Sequence, residues 1–505
     1  MRYSKRMATT DFVQVDVMLI PAQQNPFNPN NLALLTTESP IVGIEDFTAH
    51  TSLQGVGTTY GTASETYKMA NSVFSQLPNI LTGNGSLAII PFDGVNATRS
   101  SIKTENLTAK INTFEAITAG KIKITVDGAV YNLNEIDFTN IASLADLVKV
   151  LYKKLPQGKI KITIEDGSLR FSSLKYGANS TILIEAGTLT GTDLLDTTLL
   201  NSTTFTTTTG VNASGETLVE AITRVMALPE GERPNFESVI TNLNFELDYA
   251  TNSYLQNIAS YLKGLEKIFI HSFSSLNDVA NALLIKNASY TDCRLIYHKD
   301  DELLEMRAGA SGRLFSNNTS FPLLSATLNK KQIVGITPCL YLTDTDKQNL
   351  KNNVGVDYYI SNLGTPAYVS TGANGGYIDD IYNVKIIKLE SLTTYNNALD
   401  SLTKIPQTQA GTGSLSGPIR QNLIKLRANG IIGIGIKWNS NTRPASKTPE
   451  EFDRIMYDEG FFVEEIDITT QSQADREGRK APPVPMYIQF AGAMQNVSSV
   501  IFIQR

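Results

Sequence analysis

Histidine, cysteine, tryptophan and charge are all scarce in this 505-residue chain, which holds three His, two Cys and one Trp and is 18% charged, against about 25% in ordinary soluble proteins. So little histidine removes most of the raw material for a hydrolytic triad or a zinc site. His50, His271 and His298 stand far apart, and no serine sits in a GxSxG turn. Cys293 and Cys339 fit neither a CxxC nor a zinc spacing and read as two reduced, buried thiols. Long apolar runs are missing too. Ile431 to Ile436, broken by two glycines, is among the longest, and a bilayer span needs about 20 residues. The first residues, MRYSKRMATTDF, lack the apolar core of a secretion signal, so a protein made in a reducing cytoplasm is expected. A net charge of -6 is mild over this length, and no basic stripe interleaved with aromatics follows a phosphate backbone. Neither nucleic acid nor membrane insertion is expected.

The remaining motifs resolve into ordinary structure. Asp300, Asp301, Glu302 and Glu305 lack the alternating spacing and the glycine of a calcium loop and read as the acidic start of a helix. Gly433-Ile434-Gly435 follows a predicted helix, whereas a dinucleotide fingerprint follows a strand; tight packing in a strand is its reading. The Gly372 to Gly376 stretch has no Lys-Ser/Thr to grip phosphate and reads as a turn. No catalytic residue, cofactor or metal site is expected. An enzyme with an unrecognised site and an extracellular or hook-associated adhesin stay as the alternatives, the second prompted by a Thr-rich insert.

What the chain has in quantity is alternation. Phe12 to Ile20 sets Val13, Val15, Val17 and Leu19 against polar neighbours, the period of a half-buried strand, and Pro21 ends it. An Asn- and Pro-rich loop, Gln23 to Asn31, leads to a strand at Leu32 to Thr36; a helix within residues 60–75 and a buried strand from Leu87 follow. Between about 103 and 212 the chain nearly repeats itself: KIKITVDG at 121–128 and KIKITIEDG at 159–167 each place alternating apolar residues before an Asp-Gly hairpin turn. Between them Ile141, Leu144, Leu147, Val148, Leu151 and Leu155 recur at helical spacing. This predicts an inserted ββαββ domain, continued by a strand at Thr181 to Glu185.

From Glu216 onward helix and strand alternate, which predicts largely parallel strands covered by helices. The predicted strands include Lys267 to His271 and Cys293 to Tyr297; helices are predicted from Leu218, from Ser253 to Gly264, from Ser275 to Lys286, from Asp346 to Asn353 and from Pro418 to Asn429, the last closed by Gly430. Ile431 to Trp438 then reads as a buried strand. Thr448-Pro449-Glu450-Glu451 opens a helix with a capping Thr, a proline at its first position and a Glu two residues on; it ends at Gly460, and Phe461 to Thr469 reads as a strand. The chain closes on Met486 to Phe490 and Val497 to Ile503, two apolar strands. The fold class expected is α/β in the mixed α+β sense, multidomain, with an α/β core formed with both termini and a β-rich insert.

The order Ala474-Asp475-Arg476, Arg479, Pro482-Pro483, an apolar strand, then Ala491-Gly492-Ala493 and a final strand from Val497 resembles the C-terminus of contractile-tail bacteriophage sheath proteins. Met494-Gln495 departs from that family's usual turn. The start at Phe12 to Thr36, the stretch Gly376 to Asp380, the helix end Ala428 to Ile431 and the insert itself are similar to sheath proteins as well. The resemblance implies a structural subunit, not an enzyme, that polymerises with copies of itself as a helical sleeve around the tail tube and contracts to drive the tube through the host envelope. It further implies baseplate and tail terminator proteins as partners, and the virion tail, assembled in the host cytoplasm, as location. The domains then read as an N-terminal arm and first part of the core (1–102), an outward-facing insert (103–212), a middle α/β domain (213–415) and the C-terminal part of a tube-proximal core with a strand arm (416–505). The expected inter-subunit arm strands carry Phe12, Val13, Val15, Val17, Leu19, Val497, Val500, Ile501, Phe502 and Ile503. The family-like motif is Asp475, Arg476, Arg479, Pro482, Pro483 and Gly492. A contact with the tube is expected at Glu450, Glu451, Arg454 and Asp458, the charged face of the capped helix.

Overall fold

The strands predicted on either side of the insert meet in one sheet in the computed structural model, which describes residues 4–6, 16–18, 28–41, 46–155, 158–245, 254–323, 325–372 and 376–494. Eight strands lie in the order Thr365–Val369, Asp357–Asn362, Cys293–Tyr297, Ile268–Phe273, Ser238–Thr241, Leu32–Thr36, Leu87–Pro91 and Thr48–His50. The inner ones run parallel, and each edge strand is antiparallel to its neighbour. Parallel strands need crossovers, which place helices on both faces, so the strands are buried on both sides and largely apolar. Leu32–Thr36 is buried at every residue. Leu32 and Leu34 pack into one core with Ile89, Ile240 and Ile268, while Ala33 and Leu35 pack into a second with Ile90, Val239 and Phe269.

On the first face the helix Leu303–Leu314 lies close on the helix Glu65–Phe74: a Cβ placed on Gly312 would stand 2.5 Å from the carbonyl oxygen of Val73. The 24-residue helix Ile378–Ser401, which the sequence pattern did not mark, and Gln409–Asn429 cover the same face. Leu218–Met226, Tyr254–Gly264 and Val279–Asn287 cover the other. The first of these is closed by a reciprocal box between Thr217 and Glu220.

Three expectations are corrected in the C-terminal part. Pro418 does not start a helix: Thr408 caps it, accepting from the N–H of Gly411, and the packing of Leu415, Ile419 and Leu423 carries it through the proline. Ile431 to Trp438 is not a strand, because Gly430 and Gly435 take left-handed φ of 94° and 73° and turn the chain; only Ile431 to Gly433 pair, with residues 489–491, and Ile434 is 58% exposed. Of Phe461 to Thr469 only Phe461–Val463 is a strand.

The insert matches its prediction at both turns. Gly120–Val126 and Ala129–Ile136 are joined through Asp127 and Gly128 (φ 50° and 81°), and Ile160–Glu165 and Ser168–Ser173 through Asp166 and Gly167 (52° and 79°). The two hairpins enter different sheets, held together by a shared core with the helix Leu144–Lys154, whose N-terminus is capped by Ser143. The insert is fastened to the central sheet by a buried ion pair, Lys175 to Asp278 at 3.3 Å, by Arg99 stacked 3.8 Å over Tyr176 with a bond to Ser274, and by the N–H of Leu276 donating to Gly158 O.

Candidate functional site

The C-terminal strand is built by long-range contacts. Met486–Ile488 runs antiparallel to Phe461–Val463, with Phe461 opposite Ile488 and Val463 opposite Met486. The ladder is extended by Gln489 N–H donating to Gly460 O and Glu464 N–H donating to Pro485 O. Beyond it Ile432 faces Phe490, held by Gly433 N–H to Gln489 O and Ala491 N–H to Ile431 O. All of these bonds leave from odd-numbered residues of the strand, so by the alternation of an antiparallel pair the N–H and C=O groups of Met486, Ile488 and Phe490 face the opposite side. No strand among the described residues pairs there.

The face behind this strand is aromatic. Phe452, fully buried, meets Trp438, Phe462 and Tyr487 at centroid distances of 5.5, 5.9 and 5.3 Å. These four residues are remote in sequence and share no period, so no window of the sequence could have assembled them.

Phe452 and Met456 are the inner side of the helix Pro449–Glu459, where Thr448 accepts from Glu451 N–H and Gly460 closes the end at φ 75°. Glu450, Glu451, Arg454 and Asp458 are exposed. The predicted charged face is therefore present as a face. Its neighbours are paired within the chain, Asp453 with Arg443 at 3.0 Å and Glu459 with Arg427.

The Arg-containing motif forms a short helix, Gln473–Glu477, capped by Ser472. Asp475 accepts from the Ser472 hydroxyl at 2.6 Å and pairs with Lys480 at 3.2 Å, and both contacts hold its carboxyl below the usual range. Arg476 and Arg479 are exposed and make no ion pair among the described residues; Pro482 is buried, Pro483 is exposed, and Gly492 takes φ 62°. Arg479 itself holds φ 52°, an uncommon conformation for a residue with a Cβ.

At the other end, Asp16–Met18 is a strand antiparallel to Ser4–Arg6 of the same chain, with Lys5 opposite Val17. The rest of the expected arm positions, Phe12, Val13, Val15 and Leu19, lie outside the described residues, and so do Val497, Val500, Ile501, Phe502 and Ile503. The Asn- and Pro-rich loop before Leu32 is anchored where it is described, from Asn28 on. Asn28, Asn30 and Asn31 are buried, and their amides bond Gly83 O, Asn84 O, Asn317 O and Ser86.

One constellation has the outline of a thiol active site. Cys339 Sγ lies 3.6 Å from His298 Nδ1, and His298 Nε2 lies 3.5 Å from Glu302, too long for a well-formed hydrogen bond. Burial pushes the thiol up to about 12 and the imidazole down. Burial also raises the Glu302 carboxyl, but His298 and two bonds from Thr337 outweigh it and hold the group at about 2. A thiol that stays protonated across the neutral range supplies no nucleophile. His271, fully buried against Phe245, is likewise kept neutral by burial. Among the described residues no group of three or more His, Cys, Asp or Glu is placed to hold a metal ion, and no helix is long and apolar enough to cross a membrane.

Residues 378–503 match the family model of the E217 tail sheath protein gp31-like C-terminal domain, and residues 97–211 match that of the E217 tail sheath protein gp31 insert domain. Among solved structures, the contracted helical sheath of the anti-feeding prophage is 8% identical over 99% of this chain and 100% of its own, with a TM-score of 0.44. The sheath tail protein Lin1278 from Listeria innocua is 11% identical over 80% of this chain and 86% of its own, with a TM-score of 0.40. The sheath tail protein DSY3957 from Desulfitobacterium hafniense is 8% identical over 83% and 90%, with a TM-score of 0.41. No curated protein matches the chain.

Proposed function

We propose, from the tail sheath family models that match its insert and C-terminal domains, that the chain is a structural subunit that polymerises helically around a tail tube, joined to its neighbours by exchanged strands. The observation that carries this reading is the strand Met486–Ile488, which is paired on one side only among the described residues. An open strand edge is a template for another strand: main-chain bonds supply the affinity and alternate side chains the register. The apolar terminal segments around Val13 to Leu19 and Val497 to Ile503 have the composition for that role. A head-to-tail exchange does not close on itself, so it propagates as a helix.

Contraction, on this reading, is a rigid-body change between two packings of the same subunits. On this reading the N-terminal arm is tethered to the body at Asn28 to Asn31, whose side chains are buried. The exposed face of Glu450, Glu451, Arg454 and Asp458 is assigned to the tube, and the ends of the sleeve to the baseplate and the terminator, with assembly in the host cytoplasm. Charge reversal at both Glu451 and Arg454 that left tube-bound assembly unchanged would remove the tube assignment.

Strand exchange is tested by Ile488→Pro. Proline is tolerated on an edge whose N–H faces outward, but it removes the donor an added strand needs. The variant is expected to fold, melting somewhat lower because Ile488 packs partly buried on the core, and to lose polymerisation by electron microscopy. Normal tubular polymers from it would overturn the exchange.

A further inference from the structure

Among the described residues three two-residue hairpin turns share one left-handed geometry, and two of them obey its sequence rule with Asp127-Gly128 and Asp166-Gly167. The third, between Asp357–Asn362 and Thr365–Val369, is Leu363-Gly364, with φ of 51° and 83°. Leu363 is 99% exposed. A leucine gains nothing there by either measure: its branched side chain disfavours the backbone conformation, and its apolar surface is left in water. A residue that breaks a local rule without a gain to its own fold marks a functional contact.

A socket of matching chemistry lies elsewhere on the same chain. A surface pocket of about 510 Å³ opens between the helices Leu218–Met226 and Tyr254–Gly264, lined by Val219, Ile258, Tyr254 and Tyr261, with Asn257 and Ser260 among its other residues. Both tyrosine hydroxyls are engaged inside the subunit, Tyr254 accepting from Leu218 N–H at 3.2 Å and Tyr261 bonded to Thr223 at 2.8 Å. The rings are therefore left as apolar lining.

The knob lies at one edge of the central sheet, and the socket lies over strands away from that edge, one wall against Ile268–Phe273 and the other against Leu87–Pro91. Thr365–Val369 is the outermost strand at one edge. The helix carrying Val219 is tied by Arg224 to the carbonyl of Pro91, in the strand next to the other edge. They are placed to meet between copies and not within one. We infer that Leu363 of one copy seats in the Val219–Tyr261 pocket of the next. The contact is heterologous: each bound pair leaves one knob and one socket unused, so it repeats along a row. This inference rests on the reading of the chain as a self-assembling subunit and names a contact separate from the exchanged strands.

Two experiments on the full chain test it. Leu363→Asn suits the turn better than leucine does, so the variant is expected to melt no lower than the wild type, yet to polymerise at least tenfold more slowly by light scattering. The second mixes Leu363→Cys with Ser260→Cys under mild oxidation; both native cysteines are buried and do not compete. A disulfide between positions 363 and 260 of different copies, mapped by mass spectrometry, is expected in the polymers, with none from a Val130→Cys control in place of Leu363→Cys. Wild-type rates for Leu363→Asn, or polymers without the 363–260 link, would overturn the knob and socket while leaving the sheath reading intact. A wild-type chain that stays monomeric at every concentration would overturn the self-assembly reading and this contact with it.

Discussion

The insert and the C-terminal segment are each matched by a family model, yet they hold themselves together in opposite ways. The insert buries Phe114, Ile122, Phe138, Leu151 and Phe171 in a core made of its own residues. The C-terminal segment has a small aromatic group of its own around Phe452, but most of its apolar side chains are shared: Ile419, Leu423, Phe461 and Val463 pack into the same cluster as Leu32, Ile89 and Ile240 of the central sheet. A unit that recurs as a family domain is thus not always a unit that folds alone. The difference also sorts the two by role. Where stability is supplied locally, hairpins and caps are regular; where it is borrowed from a neighbouring layer, a strand edge is left open.

The largest expected effect is all-or-none. Residues 97–211 expressed alone should fold and melt cooperatively, because their apolar side chains have one another for partners. Residues 378–494 alone should not, since removing the central sheet exposes Ile419, Leu423 and Phe461 together. Near-ultraviolet circular dichroism of the two fragments checks this, and a folded C-terminal fragment would break the comparison. Next in size are two matched truncations. Phe138→Ala removes a fully buried ring packed edge-on to Phe114 at 5.7 Å and is expected to cost about 3–5 kcal/mol. Phe452→Ala, at the centre of the C-terminal aromatic group, should cost about as much. The first should lower only the insert's calorimetric transition, and the second that of the main body.

The same division explains what could be read from the sequence. The insert's hairpins and helix were legible because Asp-Gly turns, period-two strands and the helical spacing of Leu144, Leu147 and Leu151 are local signals. The central strands Leu32–Thr36 and Leu87–Pro91 were legible for a related reason: a parallel strand buried on both faces is a short, nearly continuous apolar run. The long helix Ile378–Ser401 was not legible, because it is buried on one side at its start and exposed over its last turns, and its apolar residues keep no steady period. Pro418 misled for the opposite reason, a strong local signal overruled by packing. Of the candidate site, the charged face of Pro449–Glu459 could be read from its capping residues. The pairing of Ile432 with Phe490, and the aromatic group of Trp438, Phe452 and Tyr487, could not, since each joins residues that only the fold brings together.

A third prediction addresses how the two kinds of region are joined. Lys175 and Asp278 are 9% and 5% exposed in their side chains, and removing one member of a buried pair typically costs about 3 kcal/mol or more. Lys175→Met should therefore lower the insert's transition by about 3 kcal/mol and separate it from the body's in a calorimetric scan. An unshifted single transition would show that Arg99, Tyr176 and the Leu276 to Gly158 bond suffice to hold the junction.

The smallest expected effect isolates the local rule itself. Asp127 and Leu363 occupy the same position of the same turn, at φ 50° and 51°, so exchanging their side chains compares like with like. Leu363→Asp should stabilise the main body by about 0.5–1 kcal/mol, the scale of a residue moved from a disfavoured to a favoured turn conformation. Asp127→Leu should cost more than that gain. Its carboxylate does more than fit the turn: it accepts from the Ser173 hydroxyl at 2.7 Å and from Thr181 N–H at 3.0 Å, joining the first hairpin to the strand that follows. Denaturant unfolding of both variants reads the asymmetry directly. Equal and opposite changes would mean that Asp127 serves the turn alone, and that the insert's regularity comes from local propensity without help from its cross-strand bonds.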